Sequence, residues 1–208
     1  MKAVKKILHI ISSTRGAESL TLRLGNAIID KIRENNPDAI VKELDLAKDP
    51  YPHLAQVNIN AFFTPPEYRT PELDAAIKRS DEAIAELQQA DIVVLGAPMY
   101  NFSITSSLKA YLDHIARAKI TFSYTEKGSE GLLKNKKAYI AVGSAGVFDN
   151  EQMKHFDFVT PYLKHFLWFI GITDVKVFRV QGTAIPELQE TALETALDNV
   201  AAHETITF

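Results

Sequence analysis

Short apolar runs recur along this chain, and each is followed by a stretch with helical spacing. The runs lie at residues 7–11, 92–97, 139–142 and 175–180, with a weaker one at 39–44. The first three are nearly continuous in apolar character instead of alternating. A strand apolar on both faces must be covered on both, which is the condition of a parallel strand inside an α/β domain. Between the runs, Leu20, Leu24, Ala27, Ile28 and Ile32 share one helical face, as do Leu73, Ile77, Ile84 and Leu87. Further helices are expected over 106–116, 156–170 and 186–202, the last opening on Pro186 at a first-turn position that suits it.

Strand–helix alternation with five strands implies a doubly wound α/β fold. The expectation is a five-stranded parallel sheet in the flavodoxin-like order 2-1-3-4-5, with right-handed crossovers and helices on both faces. In such sheets a ligand sits beyond the carboxyl ends of the strands where the order reverses, here between strands one and three. Function is therefore expected after Ile11 and after Ala97. A length of 208 residues, against about 150 per domain, and the lack of a linker or repeat predict a single domain over 1–208. Residues 49–70 hold Pro50, Pro52, Pro65 and Pro66 and read as a long excursion, either a lid or a plain surface loop.

Composition excludes several function classes. With 23 Lys+Arg against 26 Asp+Glu, the formal charge of −3 offers no surplus for nucleic acid or an anionic membrane. The chain has no cysteine, so disulfides, thiolate nucleophiles, cysteine-ligated zinc and iron–sulfur clusters are out. No stretch approaches the roughly 20 apolar residues that span a bilayer. The apolar run after Lys5 and Lys6 is too short for a signal peptide, and a cytoplasmic protein is expected. The six histidines form no HExxH and no ligand pair, so no metal is expected. His9, inside the first strand, reads as a satisfied core residue.

The strand ends carry the chemistry. After the first strand come Ser12, Ser13, Thr14, Arg15 and Gly16, then Ser19, Leu20 and Thr21 at a helix start. Hydroxyls and unpaired N–H groups at the positive end of a helix dipole suit a phosphate monoester, and Arg15 could add a charge. The plainer reading, that Ser19 caps the helix and the other hydroxyls sit in a turn, stands beside it. No GxxxxGK[ST] and no GxGxxG occurs. One phosphate at the first βα turn of such a sheet points to flavin mononucleotide, FMN. The third strand ends in Pro98-Met99-Tyr100-Asn101-Phe102-Ser103-Ile104. Three large apolar side chains directly after a buried strand either cover a planar ligand or pack under the next helix. Asn101 brings amide donors and acceptors to the same place.

That block, followed by Leu108-Lys109, Ala116-Arg117-Ala118, Thr121-Phe122-Ser123-Tyr124-Thr125, Gly131-Leu132-Leu133, Thr160-Pro161-Tyr162-Leu163 and Phe169-Ile170-Gly171-Ile172, closely resembles the FMN-dependent NADH:azoreductases among the flavodoxin-like quinone reductases. The likeness spans residues 6–182. It implies a homodimer with one tightly bound FMN per subunit at the interface. It further implies ping-pong transfer of two electrons from NADH or NADPH to quinones or aromatic azo compounds. By resemblance, the phosphate site falls on Ser13, Ser19, Leu20 and Thr21, and the ring loop on Met99, Tyr100, Asn101 and Phe102. A third loop, usually serine-arginine-glycine-glycine, falls on Gly143, Ser144, Ala145 and Gly146 and lacks the arginine. Tyr124 and Phe169 are candidate pocket aromatics, with core packing the stronger reading for Phe169. No side chain is required as acid or base, since the cofactor carries the chemistry. The competing reading is a flavodoxin-type electron carrier without substrate chemistry. A serine hydrolase would need an elbow such as GxSxG, which is not present.

Overall fold

The computed structural model describes residues 4–126 and 128–203. Seven strands and six helices follow in the order β1 (Lys6–Ile11), α1 (Leu20–Asn35), β2 (Ile40–Asp45), α2 (Gln56–Phe63), α3 (Pro71–Gln89), β3 (Ile92–Pro98), α4 (Ser106–Ile115), β4 (Phe122–Thr125), β5 (Gly128–Gly131), β6 (Lys137–Gly143), α5 (Thr160–Ile170), β7 (Asp174–Val180) and α6 (Ala192–Ala201). The main sheet is parallel in the order β2-β1-β3-β6-β7, while β4 and β5 form a separate antiparallel hairpin. Counted along the sheet's own strands this is 2-1-3-4-5, as the alternation predicts.

Side-chain alternation divides each central strand between two cores. Leu8, Ile10, Val93, Leu95, Ile140 and Val142 face α3, α4 and α5, where they meet Ile84, Leu87, Tyr111, Leu163 and Ile170. Ile7, Val94, Tyr139 and Ala141 face α1 and α6, against Leu24, Ile28, Ile32, Ala196 and Val200. All seven residues of β3 are buried. The edge strand β2 is mostly exposed or half-buried, which explains why its run is the weakest in the sequence.

The structure differs from the sequence reading in four places. The last helix begins at Ala192, not near Pro186, because residues 186–191 form turns. Helix α5 begins at Thr160, with residues 154–156 in one separate turn of 3₁₀ helix. The hairpin β4–β5 is an addition to the five strands expected. The proline-rich excursion holds the two-turn helix α2 and is fastened down. Asn58 Nδ2 donates to the Ala76 carbonyl at 3.0 Å, Arg79 donates to the carbonyls of Asp49 and Pro50 at 3.1 and 3.0 Å, and His114 Nε2 meets the Pro52 carbonyl at 2.9 Å. Arg117, buried and paired with Asp81, lies 4.9 Å over the Phe62 ring. A segment held at so many points is a docked strap and not a lid.

His9 is in the core, but it is not satisfied there. Neither ring nitrogen has a hydrogen-bond partner among the described residues, and Nδ1 lies 4.0 Å from Glu43 Oε1. A Cβ at Gly25 would lie 2.6 Å from Nε2, so helix α1 presses on the imidazole at a glycine. Burial lowers the His9 pKa from 6.5 to about 4. Glu43 is too exposed to compensate. An unfolded chain takes up this proton as pH falls through 6.5, and the folded one refuses it until about 4. Stability is therefore lost across that window, by up to about 3 kcal/mol, and the contribution is constant below it. Urea unfolding of wild type and His9→Leu at pH 7 and pH 4.5 should show a smaller acid loss in the variant. Equal losses would contradict this assignment.

Candidate functional site

Four loops leave the carboxyl ends of β1, β3, β6 and β7 and enclose a cleft of about 200 Å³. Of the residues singled out in the sequence, Ser13, Ser19, Leu20, Thr21, Met99, Tyr100, Gly143, Ser144 and Ala145 line it together, joined by Arg15, Pro98 and Thr183. Asn101, Phe102 and Gly146 stand just outside the lining, on the same two loops. Tyr124 and Phe169 are elsewhere. Tyr124 is 75% exposed on the β4 hairpin, edge-on to Phe122, and Phe169 is half-buried with its ring 4.4 Å from that of Phe122.

The first loop gathers the kinds of donor that an anion needs. Ser12 is spent on structure, its hydroxyl donating to the Gly96 carbonyl at 2.7 Å. Ser13 Oγ accepts from the Arg15 N–H at 3.3 Å. Gly16, at φ +53, takes the left-handed conformation that lets the chain turn back into α1. Ser19 is the N-cap, its Oγ accepting from the Leu22 N–H at 3.2 Å and sharing a 3.1 Å hydrogen bond with Thr21 Oγ1. The cap uses one of the orphan donors of the first turn. The N–H groups of Leu20 and Thr21 remain without an intrahelical acceptor and at the positive end of the helix dipole. Ser19 is thus the cap that the plainer reading expects, and capping leaves these two donors available to an anion. Arg15 is exposed and makes no ion pair among the described residues.

The second and third loops are fixed to the first and to each other. The Met99 N–H donates to the Gly143 carbonyl at 2.7 Å. Tyr100 and Ser103 exchange backbone hydrogen bonds at 2.9 and 3.1 Å around Asn101 and Phe102, which sit at φ 49 and 69. The Tyr100 hydroxyl lies 3.2 Å from Thr14 Oγ1, and that hydrogen bond holds its pKa below the usual phenol value. At Gly143 a Cβ would lie 2.7 Å from Thr21 Cγ2, so glycine is what lets the start of α1 approach β6. Ser144 and Ala145 are backed by the loop after β7. The Ser144 N–H donates to the Val180 carbonyl at 3.0 Å, and Ala145 and Gly146 accept from Ala184 and Gly182, both at 3.1 Å.

Sequence reasoning did not find Pro98 and Thr183 as lining residues, and weighed Arg15 only as an added charge. Thr183 carries no signal except its place three residues beyond a strand end. The lining holds one arginine and five hydroxyl-bearing side chains besides the tyrosine or methionine that could face a ring, and it holds no carboxylate. That donor set fits an anionic ester with a planar head.

A family model described as the flavodoxin-like fold (Flavodoxin_2) matches residues 5–203. An FMN-dependent NADH:quinone oxidoreductase of Herminiimonas arsenicoxydans is 47% identical over 180 residues, covering 86% of this chain and 88% of its own. Among solved structures, an azoreductase from Bacillus anthracis str. Sterne superposes with a TM-score of 0.87 at 27% identity, over 95% of this chain and 97% of that one. An FMN-dependent NADH-azoreductase from Bacillus anthracis str. Ames Ancestor, in complex with FMN, does so at 0.82 and 25% identity, over 96% and 98% of the two chains.

Capping by Ser19 and phosphate binding at this helix start are separable by substitution. Ser19→Ala should lose about 1 kcal/mol of stability. Ser19→Asp keeps a good cap but places a negative charge among the anion donors. With FMN as the phosphate-bearing probe, fluorescence titration should show binding weakened at least about tenfold by Ser19→Asp at near wild-type melting temperature. Unchanged FMN affinity in Ser19→Asp would place the phosphate elsewhere.

Proposed function

Because the chain belongs to the flavodoxin-like fold family, and within it to the FMN-dependent NADH:quinone oxidoreductases and azoreductases, we propose that it uses FMN to pass two electrons from NADH to quinones and aromatic azo compounds. The observation that carries this is the cleft at the sheet's switch point. A helix start, an unpaired arginine and clustered hydroxyls make one end of it, two loops rich in aromatic and backbone groups make the other, and no carboxylate intervenes.

In this reading the Leu20 and Thr21 N–H groups, the hydroxyls of Ser13, Ser19 and Thr21, and Arg15 hold the FMN phosphate. Met99, Tyr100, Asn101 and Phe102 would lie against the ring, and the N–H groups of Ala145 and Gly146 would offer donors to its polar edge. FMN, when bound, supplies a two-electron centre that accepts hydride and passes it on. The balance is NADH, a proton and a quinone giving NAD⁺ and a hydroquinone. An azo bond needs two such cycles and yields two amines. The proton for the acceptor comes from water, because neither a carboxylic acid nor an imidazole lines the cleft. The residues here bind, orient and exclude competing geometry, and none transfers a proton.

The protein is proposed to act as a single domain and as a homodimer. The dimer is supported by the resemblance and by aromatic side chains left outside the fold, Tyr124 at 75% and Trp168 at 51% exposure. Among the described residues Tyr124 stands on the β4 hairpin away from the cleft, so a role at a substrate pocket would call for a second copy. No helix among the described residues is long and apolar enough to cross a membrane. A cytoplasmic setting is proposed because that is where NADH is regenerated.

One cleft serving donor and acceptor in turn has a kinetic signature. Initial rates with NADH and a quinone both varied should give parallel double-reciprocal lines, and sedimentation should show a dimer at working concentration. Intersecting lines would mean both substrates bind at once. Flavin binding with no NADH turnover would leave the electron-carrier reading in its place.

A further inference from the structure

Resting on the function proposed above, we propose that Phe156, with Phe102 beside it and Phe148 behind, forms an aromatic wall that selects uncharged fused-ring quinones over single-ring ones. The turn at residues 100–103 has its two central residues at φ 49 and 69. Such a turn favours Asn-Gly, and a bulky residue at positive φ is an outlier that surrounding structure must hold in place. Asn101 suits its position, and Phe102 does not. The strain persists with a ring that is 51% exposed, so burial of Phe102 does not explain it.

Its partners come from the loop after β6. The Phe102 ring stands edge-on to Phe148, with centroids 6.3 Å apart and planes at 84°, and tilted against Phe156 at 6.3 Å and 45°. The Phe158 N–H donates to the Phe102 carbonyl at 3.2 Å, stitching the two loops together. Phe148 is 8% exposed and Phe156 43%, so one ring is the backing and the other a free face. A Cβ at Gly146 would lie 3.2 Å from Phe148 Cε2, so this glycine makes room for that ring. These are the loops that supply Met99, Tyr100, Ser144 and Ala145 to the cleft. Where the resembling family carries an arginine, this chain has Ser144, followed four residues later by Phe148. A cationic position beside the ring site is thus exchanged for a small neutral side chain whose hydroxyl donates to the Gly146 carbonyl at 2.8 Å. Flat aromatic area of this kind rewards a second fused ring, which adds contact, and gives a single ring little to gain.

The test uses FMN-loaded protein with p-benzoquinone and an unsubstituted naphthoquinone. Phe156→Ala should lower kcat/KM for naphthoquinone about tenfold and leave p-benzoquinone within about twofold. Phe148→Leu, which keeps most of the buried volume, should shift the ratio in the same direction by a smaller factor. Calorimetric affinity for naphthoquinone without NADH should fall in parallel, and FMN affinity should not move. Equal losses for both quinones, or no change in their ratio, would overturn the wall. Should wild type turn over neither quinone, the proposed function fails, and the calorimetric comparison alone decides the wall.

Discussion

Parallel pairing of β1 with β3 and of β3 with β6 sets Ile11 beside Gly96 and Pro98 beside Gly143. This register brings three chain exits to one end of the sheet at nearly one level. All three strands are buried on both faces, so a slip of one residue would exchange the two cores. The position of every lining residue follows from that register. It also explains why the cleft sits at the reversal of strand order, where α1 leaves on one side and α4 on the other.

The loops built on this frame are tied to the sheet by the chain's own hydrogen bonds. Ser12 anchors the first to β3, Met99 anchors the second to β6, and Ser144 anchors the third to β7. Thr21 packs so closely on Gly143 that a methyl group there would collide. Orphan N–H groups and the aromatic turn are thereby held in place by contacts within the protein. Preorganisation of this kind lowers the ordering cost of binding. It also accounts for the persistence of positive φ at Phe102, since both neighbouring loops hold that turn.

The central strands and the helices facing them were legible because their apolar runs are continuous and their helical faces regular. Chemistry after Ile11 and Ala97 followed from the fold alone, and the hydroxyl-rich turn and the Met99–Phe102 block were visible as residue types. What was not legible has local causes. The strands β4 and β5, Phe-Ser-Tyr-Thr and Gly-Ser-Glu-Gly, are too short and mixed to show a period. Pro186 resembles a helix start, but Leu188 folds back on Gly182 and delays α6. The prolines of residues 50–66 hide α2, which is positioned by Arg79, Arg117 and His114, all outside the segment. Several motif residues proved structural. Arg117 pairs with Asp81, Thr121 Oγ1 accepts from the Arg117 N–H at 2.9 Å, and a Cβ at Gly131 would strike the backbone of Gly171. The failure at His9 is of another kind, since sequence shows that a polar side chain is buried but not whether it finds a partner.

The proposed activity requires the cleft to hold FMN in a form that NADH can reduce and a quinone can reoxidise. An anaerobic visible spectrum of the FMN-loaded protein tests it directly. NADH should bleach the flavin band, and a quinone added after the nicotinamide is removed should restore it. A flavin band that NADH leaves intact, or a protein that takes up no FMN, would contradict the account.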